Sequence, residues 1–203
     1  MNRGFTIVEL LVSMAIFVIM TSVIVAKFGN FNQSTLLTDT AYDIALVVRL
    51  AQTYGLSVKS TTQSGTANFN FPYGVDFNAG TSAACGSGAS SNPSSLVLFA
   101  DIPDSGGATD GMCSSSDATI NPYIIIRGAT VSALCAGADA SACSSVSRLD
   151  VSFRRPNPSA VICASNGGAA QCNYAYAQAT IRGTDNSTRV IVMRQNGQIS
   201  VQR

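Results

Sequence analysis

Apolar side chains run almost unbroken from Phe5 to Phe28, and beyond that point the pattern changes twice. The ~22 positions from Phe5 to Ala26 make a helix of roughly 33 Å at about 1.5 Å per residue, enough to cross a bilayer core of about 30 Å. Residues 5–28 are therefore expected to form a transmembrane or filament-core helix. Past it, Leu37, Ala41, Ile44, Val48 and Ala51 recur at steps of three and four, with Asp39, Asp43, Arg49 and Gln52 between them. That spacing predicts an amphipathic continuation over 29–59 with one buried stripe. Gly55, after Tyr54, is the expected stop, so a single helix of roughly 75 Å is predicted. Gly29-Asn30 interrupts it where the apolar run ends, reading either as a tolerated glycine or as a hinge, since Gly costs about 1 kcal/mol relative to Ala in a helix interior.

From residue 60 the pattern becomes short β runs separated by polar loops. Residues 67–71, 74–77, 96–100, 123–127, 148–154, 174–181 and 189–193 are rich in aromatic and β-branched side chains and read as strands. Asn196-Gly197 before Ile199-Ser200-Val201 predicts a closing two-residue hairpin. Three stretches, 79–95, 105–116 and 132–147, are rich in Gly, Ala and Ser and read as loops too poor in large apolar side chains to build cores of their own. The expected fold class is α+β: a long amino-terminal helix packed on an antiparallel β head formed by 60–203.

Composition narrows the chemistry. The net charge of +1 sets up no strong field for nucleic acid or acidic membranes. With no histidine, the Ser-His-Asp, Cys-His and H-E-x-x-H arrangements are all absent. No enzymatic activity is expected. Arg189, Arg194 and Arg203 are candidate phosphate contacts, but scattered arginines commonly form a solvated face, and nucleic acid is not the expected partner. Asn186-Ser187-Thr188 matches a glycosylation sequon as a pattern only.

Glu9, the chain's sole glutamate, lies inside the apolar run. An intramembrane acid costs on the order of 2.5–3.5 kcal/mol at a helix centre on insertion scales, less near an end, so its presence points to a partner or a function. A cleaved secretory signal fits poorly: its apolar run is usually 7–15 residues with a small-residue site after it. Here Gly4 precedes the run and no such site follows Ala26.

The segment Gly4-Phe5-Thr6-Ile7-Val8-Glu9-Leu10-Leu11-Val12 resembles the processing site of type IV prepilins and of the pseudopilins of type II secretion. The resemblance implies that residues 1–4 are a leader, that a prepilin peptidase cuts between Gly4 and Phe5 and methylates Phe5, and that Glu9 is the assembly glutamate. It implies other pilin or pseudopilin subunits and an assembly platform as partners, and a single-pass anchor in the cytoplasmic membrane, its head joining a filament outside. Cleavage would leave a free amine at Phe5 in apolar surroundings, and a neighbouring subunit's Glu9 is its natural counter-charge, since a pair relieves two otherwise costly buried charges. Arg3 orients the amino end inward by the positive-inside rule. Many pilins carry a proline in this helix; here none precedes Pro72, which leaves Gly29 as the candidate melting point. The end of the chain, from Ala179 through Thr188 to Val201, is similar over about 25 residues to the minor-subunit branch typified by pseudopilin H. Some pilus members of that branch bind DNA through arginines at the final turn, whereas Asn196-Gly197-Gln198-Ile199-Ser200 is without them.

All six cysteines, Cys85, Cys113, Cys135, Cys143, Cys163 and Cys172, follow the anchor. An even number in an extracytoplasmic region suggests disulfides, with 15 connectivities open. The sequential set, Cys85 with Cys113, Cys135 with Cys143 and Cys163 with Cys172, is expected because the short Gly, Ala and Ser-rich segments between them close easily. Zinc is disfavoured by the lack of C-x-x-C and of histidine. Asp101, Asp104, Asp110 and Asp117 form the densest acid cluster. They are candidate calcium ligands, as some pseudopilins hold calcium in a head loop, although the EF-hand spacing is missing and loop aspartates commonly serve as turn residues. No other cofactor is expected.

Overall fold

The computed structural model describes residues 6–63, 66–80, 83–86, 90–103 and 109–203. One helix, α1 (Ile7–Leu56), fills the amino-terminal quarter and is helical through Gly29. Strands follow in the order β1 (Thr61–Gln63), β2 (Thr66–Asn68), β3 (Tyr73–Asn78), β4 (Ala83–Ala84), β5 (Ser90–Ser91), β6 (Ser95–Ala100) and β7 (Ala118–Ile124). Next come β8 (Thr130–Gly137), β9 (Cys143–Val146), β10 (Arg148–Arg154), β11 (Asn157–Ser165) and β12 (Gln171–Cys172). The last three are β13 (Tyr176–Arg182), β14 (Thr188–Arg194) and β15 (Ile199–Gln202). A larger antiparallel sheet has the order β12-β11-β10-β3-β6-β7 and a smaller one β15-β14-β13-β8-β9, with β1-β2 and β4-β5 as short ribbons. The architecture is α+β, with one apolar core shared by the helix and both sheets.

The stripe expected on α1 is the one buried: Leu37, Ala41, Ile44, Val48 and Ala51, joined by Ala45. It lies across β3 and β10 of the larger sheet and against β14 and β15 of the smaller. Period-two alternation supplies the sheet side of the contact. Tyr73, Val75 and Phe77 of β3 stand in register with Phe153, Val151 and Leu149 of β10, and all six are buried. Leu134, Ala179, Ile181 and Ile191 close the core from the smaller sheet.

Several local expectations are corrected. The helix does not stop at Gly55; it runs to Leu56 and closes with the Ser57 amide donating to the Thr53 carbonyl at 2.9 Å. Gly55 is there for proximity: a Cβ on it would sit 2.3 Å from the Phe153 carbonyl oxygen. The strand placed at 123–127 is Ala118–Ile124 instead, because Arg127 and Gly128 turn through positive φ. It includes Pro122, which an edge strand tolerates. The strand placed at 67–71 is Thr66–Asn68.

The largest correction concerns 132–147, taken as a loop and found as the hairpin β8-β9. Small side chains are what the position admits: Leu134 and Ala136 face the core while Cys135 is bonded to Cys143 across the hairpin. The final turn is a three-residue loop, 195–197, rather than two residues, because Met193 pairs with Ile199 and the Arg194 amide donates to the Gln198 carbonyl. Gly197, at φ 83°, supplies the left-handed residue such loops need.

Gly55→Ala tests the helix–sheet contact. Helix propensity alone favours the alanine by about 0.5–1 kcal/mol, but overpacking against backbone costs typically 1–3 kcal/mol. The expected result is a net loss of stability in urea unfolding of the full chain in detergent; a gain would contradict the contact.

Candidate assembly site

The amino end of α1 is organised by Thr6, whose extended backbone (φ −79°, ψ 150°) makes it the N-cap and whose Oγ1 accepts from the Glu9 amide at 3.2 Å. Thr6-x-x-Glu9 is the spacing of a capping box. Glu9 therefore occupies the first helical turn, where the helix dipole favours a carboxylate. That signal was present in the sequence and was masked by the apolar run around it. Gly4 and Phe5 lie outside the described residues.

From Ile7 to Ala26 the helix is long and apolar enough to cross a membrane, and none of that window is buried within the chain. Large side chains such as Ile7 (81% exposed) and Phe17 (65%) have nothing of this chain to pack on. The few hydroxyls here are satisfied internally: Ser13, Thr21 and Ser22 donate to the carbonyls of Leu10, Phe17 and Ile19 at 2.8–2.9 Å. That is what a helix surrounded by lipid or by other apolar helices requires. Chemically, the segment offers one acceptor carboxylate at its mouth and an apolar cylinder behind it.

The head is fastened to the second half of α1 at both ends. Near the anchor, Arg189 is buried, with Nε donating to Thr38 Oγ1 and Nη2 to Ser34 Oγ, both at 3.0 Å. Arg189 is thus a structural clamp and is removed from the candidate phosphate contacts. At the far end Arg49 donates to the Ile199 carbonyl at 3.1 Å and Gln52 to the Gly197 carbonyl at 3.2 Å. Arg194 and Arg203 are exposed, and Arg194 lies 5.6 Å from the centre of the Tyr176 ring.

Three disulfides join Cys85 to Cys113, Cys135 to Cys143 and Cys163 to Cys172. The first ties a strap across the outer face of the larger sheet, burying Cys85 and Cys113 with Val97 and Phe99. Three of the four acids of the sequence cluster accept from backbone amides here. Asp101 Oδ2 accepts from the Gly111 amide at 2.9 Å, and Asp110 Oδ1 from the Met112 amide at 2.9 Å. Asp117 accepts from the amides of Ile102 at 2.7 Å and Ser114 at 2.6 Å, and burial holds its carboxyl above the usual range despite those bonds. Asp104 lies outside the described residues, and among the described residues no three side chains of metal-ligating type converge.

A polar constellation that the sequence reading did not single out lies beneath the strap. Asp76 of β3 and Asp150 of β10 are directly opposite in register and fully buried. Arg148 Nε donates to Asp76 Oδ1 at 3.0 Å and Nη2 to Asp76 Oδ2 at 3.2 Å; Arg148 Nη2 also donates to the Cys113 carbonyl. Asp150 Oδ1 accepts from the Cys113 amide at 3.1 Å. Burial raises the pKa of both carboxyls, Asp150 well above the usual range because Asp76 is also beside it. The legible trace was alternation: Arg148, Asp150 and Ser152 share one face of a strand whose other face is apolar. Its burial depended on a covering strap that composition marked as loop.

Residues 1–25 match the family model described as the prokaryotic N-terminal methylation motif. No curated protein and no solved structure matches the chain. The matched residues take in the capped amino end of α1 and nearly all of its exposed apolar span Ile7–Ala26, so the chain carries a prepilin-type amino-terminal methylation segment.

Proposed function

We propose that this chain is a non-catalytic structural subunit, held in the cytoplasmic membrane by α1, cut between Gly4 and Phe5, methylated on Phe5, and built through α1 into a type IV pilus or a type II secretion pseudopilus. The observation that carries this reading is the exposed Ile7–Ala26 cylinder with Glu9 at its mouth, in a chain whose first 25 residues match the methylation motif. In the membrane, lipid covers the cylinder; in a filament, neighbouring helices do. The transfer between them exchanges one apolar surrounding for another, so it demands a specific polar contact to choose the register. Glu9 paired with the Phe5 amine of the next subunit supplies it, because an unpaired carboxylate there is penalised and a paired one is not. The reading requires prepilin peptidase, sister subunits and an assembly platform as partners, and it assigns no cofactor.

One observation favours a second reading, a minor subunit whose head captures an anionic polymer such as DNA. The segments that bear Lys59, Arg154, Arg155 and Arg194 meet at the far end of α1: Gln52 donates to the Pro158 and Gly197 carbonyls, and Lys59 Nζ lies 4.3 Å from the centre of the Tyr54 ring. Arg155 donates to the Phe69 carbonyl, and the Ala160 amide to the Gln195 carbonyl, which ties these segments to one another. None of 49–59, 69–73, 153–158 and 194–199 contains an acid, and the salt bridges of the described residues all lie at Arg148.

Three measurements test the two readings. Intact mass of protein recovered from cells should show residues 1–4 lost and one methyl gained, and Glu9→Ala should insert normally but fail to enter filaments; an unprocessed terminus in cells possessing the peptidase, or undiminished incorporation, overturns the structural reading. For the second, duplex DNA should bind the full chain with a salt dependence that weakens by about one unit of slope per cation removed at Arg154, Arg155 or Arg194. Absence of binding at low salt would dismiss it.

A further inference from the structure

The polar knot under the strap does not balance as three ordinary charges. Two carboxyls, Asp76 and Asp150, face one guanidinium, Arg148, and all the atoms that meet there are buried or nearly so. Arg148 Nε carries a single hydrogen, which is spent on Asp76 Oδ1 at 3.0 Å; Asp150 Oδ2, 3.5 Å away, makes no hydrogen bond. The Ser91 hydroxyl, fully buried, adjoins Asp76 and favours the charged form of that carboxyl. A carboxylate oxygen stripped of water and given no donor is among the costliest groups to bury. The cost disappears when that oxygen carries a proton and donates it to the facing carboxylate.

We propose that Asp76 and Asp150 share one proton, carried on Asp150 Oδ2, and that this proton latches the disulfide strap to the larger sheet. With it the knot is neutral: one carboxylate, one carboxylic acid and one guanidinium. Both backbone groups of Cys113 are held by this knot, the amide by Asp150 and the carbonyl by Arg148, so the charge state of the pair sets how firmly 109–117 lies over Val97 and Phe99. Loss of the proton places an uncompensated charge beneath the strap, and the strap lifts to admit water. The Cys85–Cys113 bond keeps it tethered while it does so.

The groups that face the pair are few. Asp76 comes from β3, Asp150 and Arg148 from β10, Ser91 from β5, and Asp110 from the strap, its charge acting at longer range to hold the proton on. Val97 and Phe99 of β6, and Val161 and Cys163 of β11, carry no charge. Asp117 fastens the strap's far side through Ser114, and its carboxyl is also raised by burial. Because the folded pKa values of the pair lie above the unfolded ones, the stability they provide is complete below the unfolded value and is lost as pH rises through the folded values. Asp139 and Asp185, whose carboxyls are lowered by Ser141 and Ser187, act with the opposite sign and only at more acid pH.

The test is amide hydrogen exchange of the full chain in detergent micelles from pH 5 to 9, corrected for intrinsic base catalysis and read at Gly111 and Cys113. Protection should fall about tenfold per pH unit from the start of that range, which lies above the unfolded value, and level off once the folded value is passed, the slope being that of one linked proton. Asp150→Asn, which mimics the protonated acid, should abolish the fall. Asp110→Asn should keep the fall and bring its levelling-off to lower pH. An infrared band of a protonated carboxylic acid should persist in the wild-type protein at pH 7 and vanish in Asp150→Asn, a readout that needs the variant only as its control. Protection that does not change with pH, an unaltered fall in Asp150→Asn, or no protonated-acid band in the wild-type protein would each overturn the proposal.

Discussion

One continuous helix has to satisfy two surroundings, and the rest of the molecule follows from how it does so. Its second half buries Leu37, Ala41, Ile44, Val48 and Ala51 in the head, whereas its first half buries nothing of its own chain. Apolar surface is worth roughly 25 cal/mol per Å² when removed from water. An uncovered helix of this length is therefore incompatible with free solution and compatible with lipid or with other such helices. The head must be rigidly attached to this shaft if the position of one is to determine the position of the other. Arg189 near the anchor and Arg49 with Gln52 at the far end provide that attachment by hydrogen bonds, and just past them Gly55 allows close approach of the helix to Phe153.

The head in turn depends on covering both faces of its larger sheet. The helix covers one. The other is covered by a strap of small and polar residues that has little apolar surface of its own and is held by a disulfide and by carboxylates aimed at backbone amides. Asp101, Asp117 and Asp150 each do for this segment what secondary structure does elsewhere, satisfying buried N–H groups. Asp101, Asp110 and Asp117, three of the four candidate calcium ligands, accept from backbone amides of this segment or beside it.

Legibility followed the strength of local patterning. The anchor, the buried stripe of α1 and the strands at 148–154 and 189–193 are strongly periodic, and the structure places them there or within a residue. The hairpin β8-β9 was missed because Ala, Ser and Cys carry little β signal of their own; its position is imposed by pairing with β13 and by the Cys135–Cys143 bond. Gly55 was read as a stop because a glycine's helix-ending tendency is local, while its close contact with Phe153 comes from 98 positions along the chain and leaves no trace in the neighbouring residues. At the amino end, the Thr6–Glu9 cap was readable but hidden within hydrophobicity. The Asp76–Asp150–Arg148 knot was invisible as a unit because its members come from two strands joined only by the fold.

The central claim is that Glu9 is an intersubunit counter-charge rather than merely a favourable residue in the first turn of a helix. Image reconstruction of assembled filaments at side-chain resolution tests it most directly, by the distance from the Glu9 carboxylate to the Phe5 nitrogen of adjoining subunits. A separation within about 4 Å, the range of an ion pair, is expected. A Glu9 that faces only its own helix end, with every neighbouring amine well beyond that range, would contradict it.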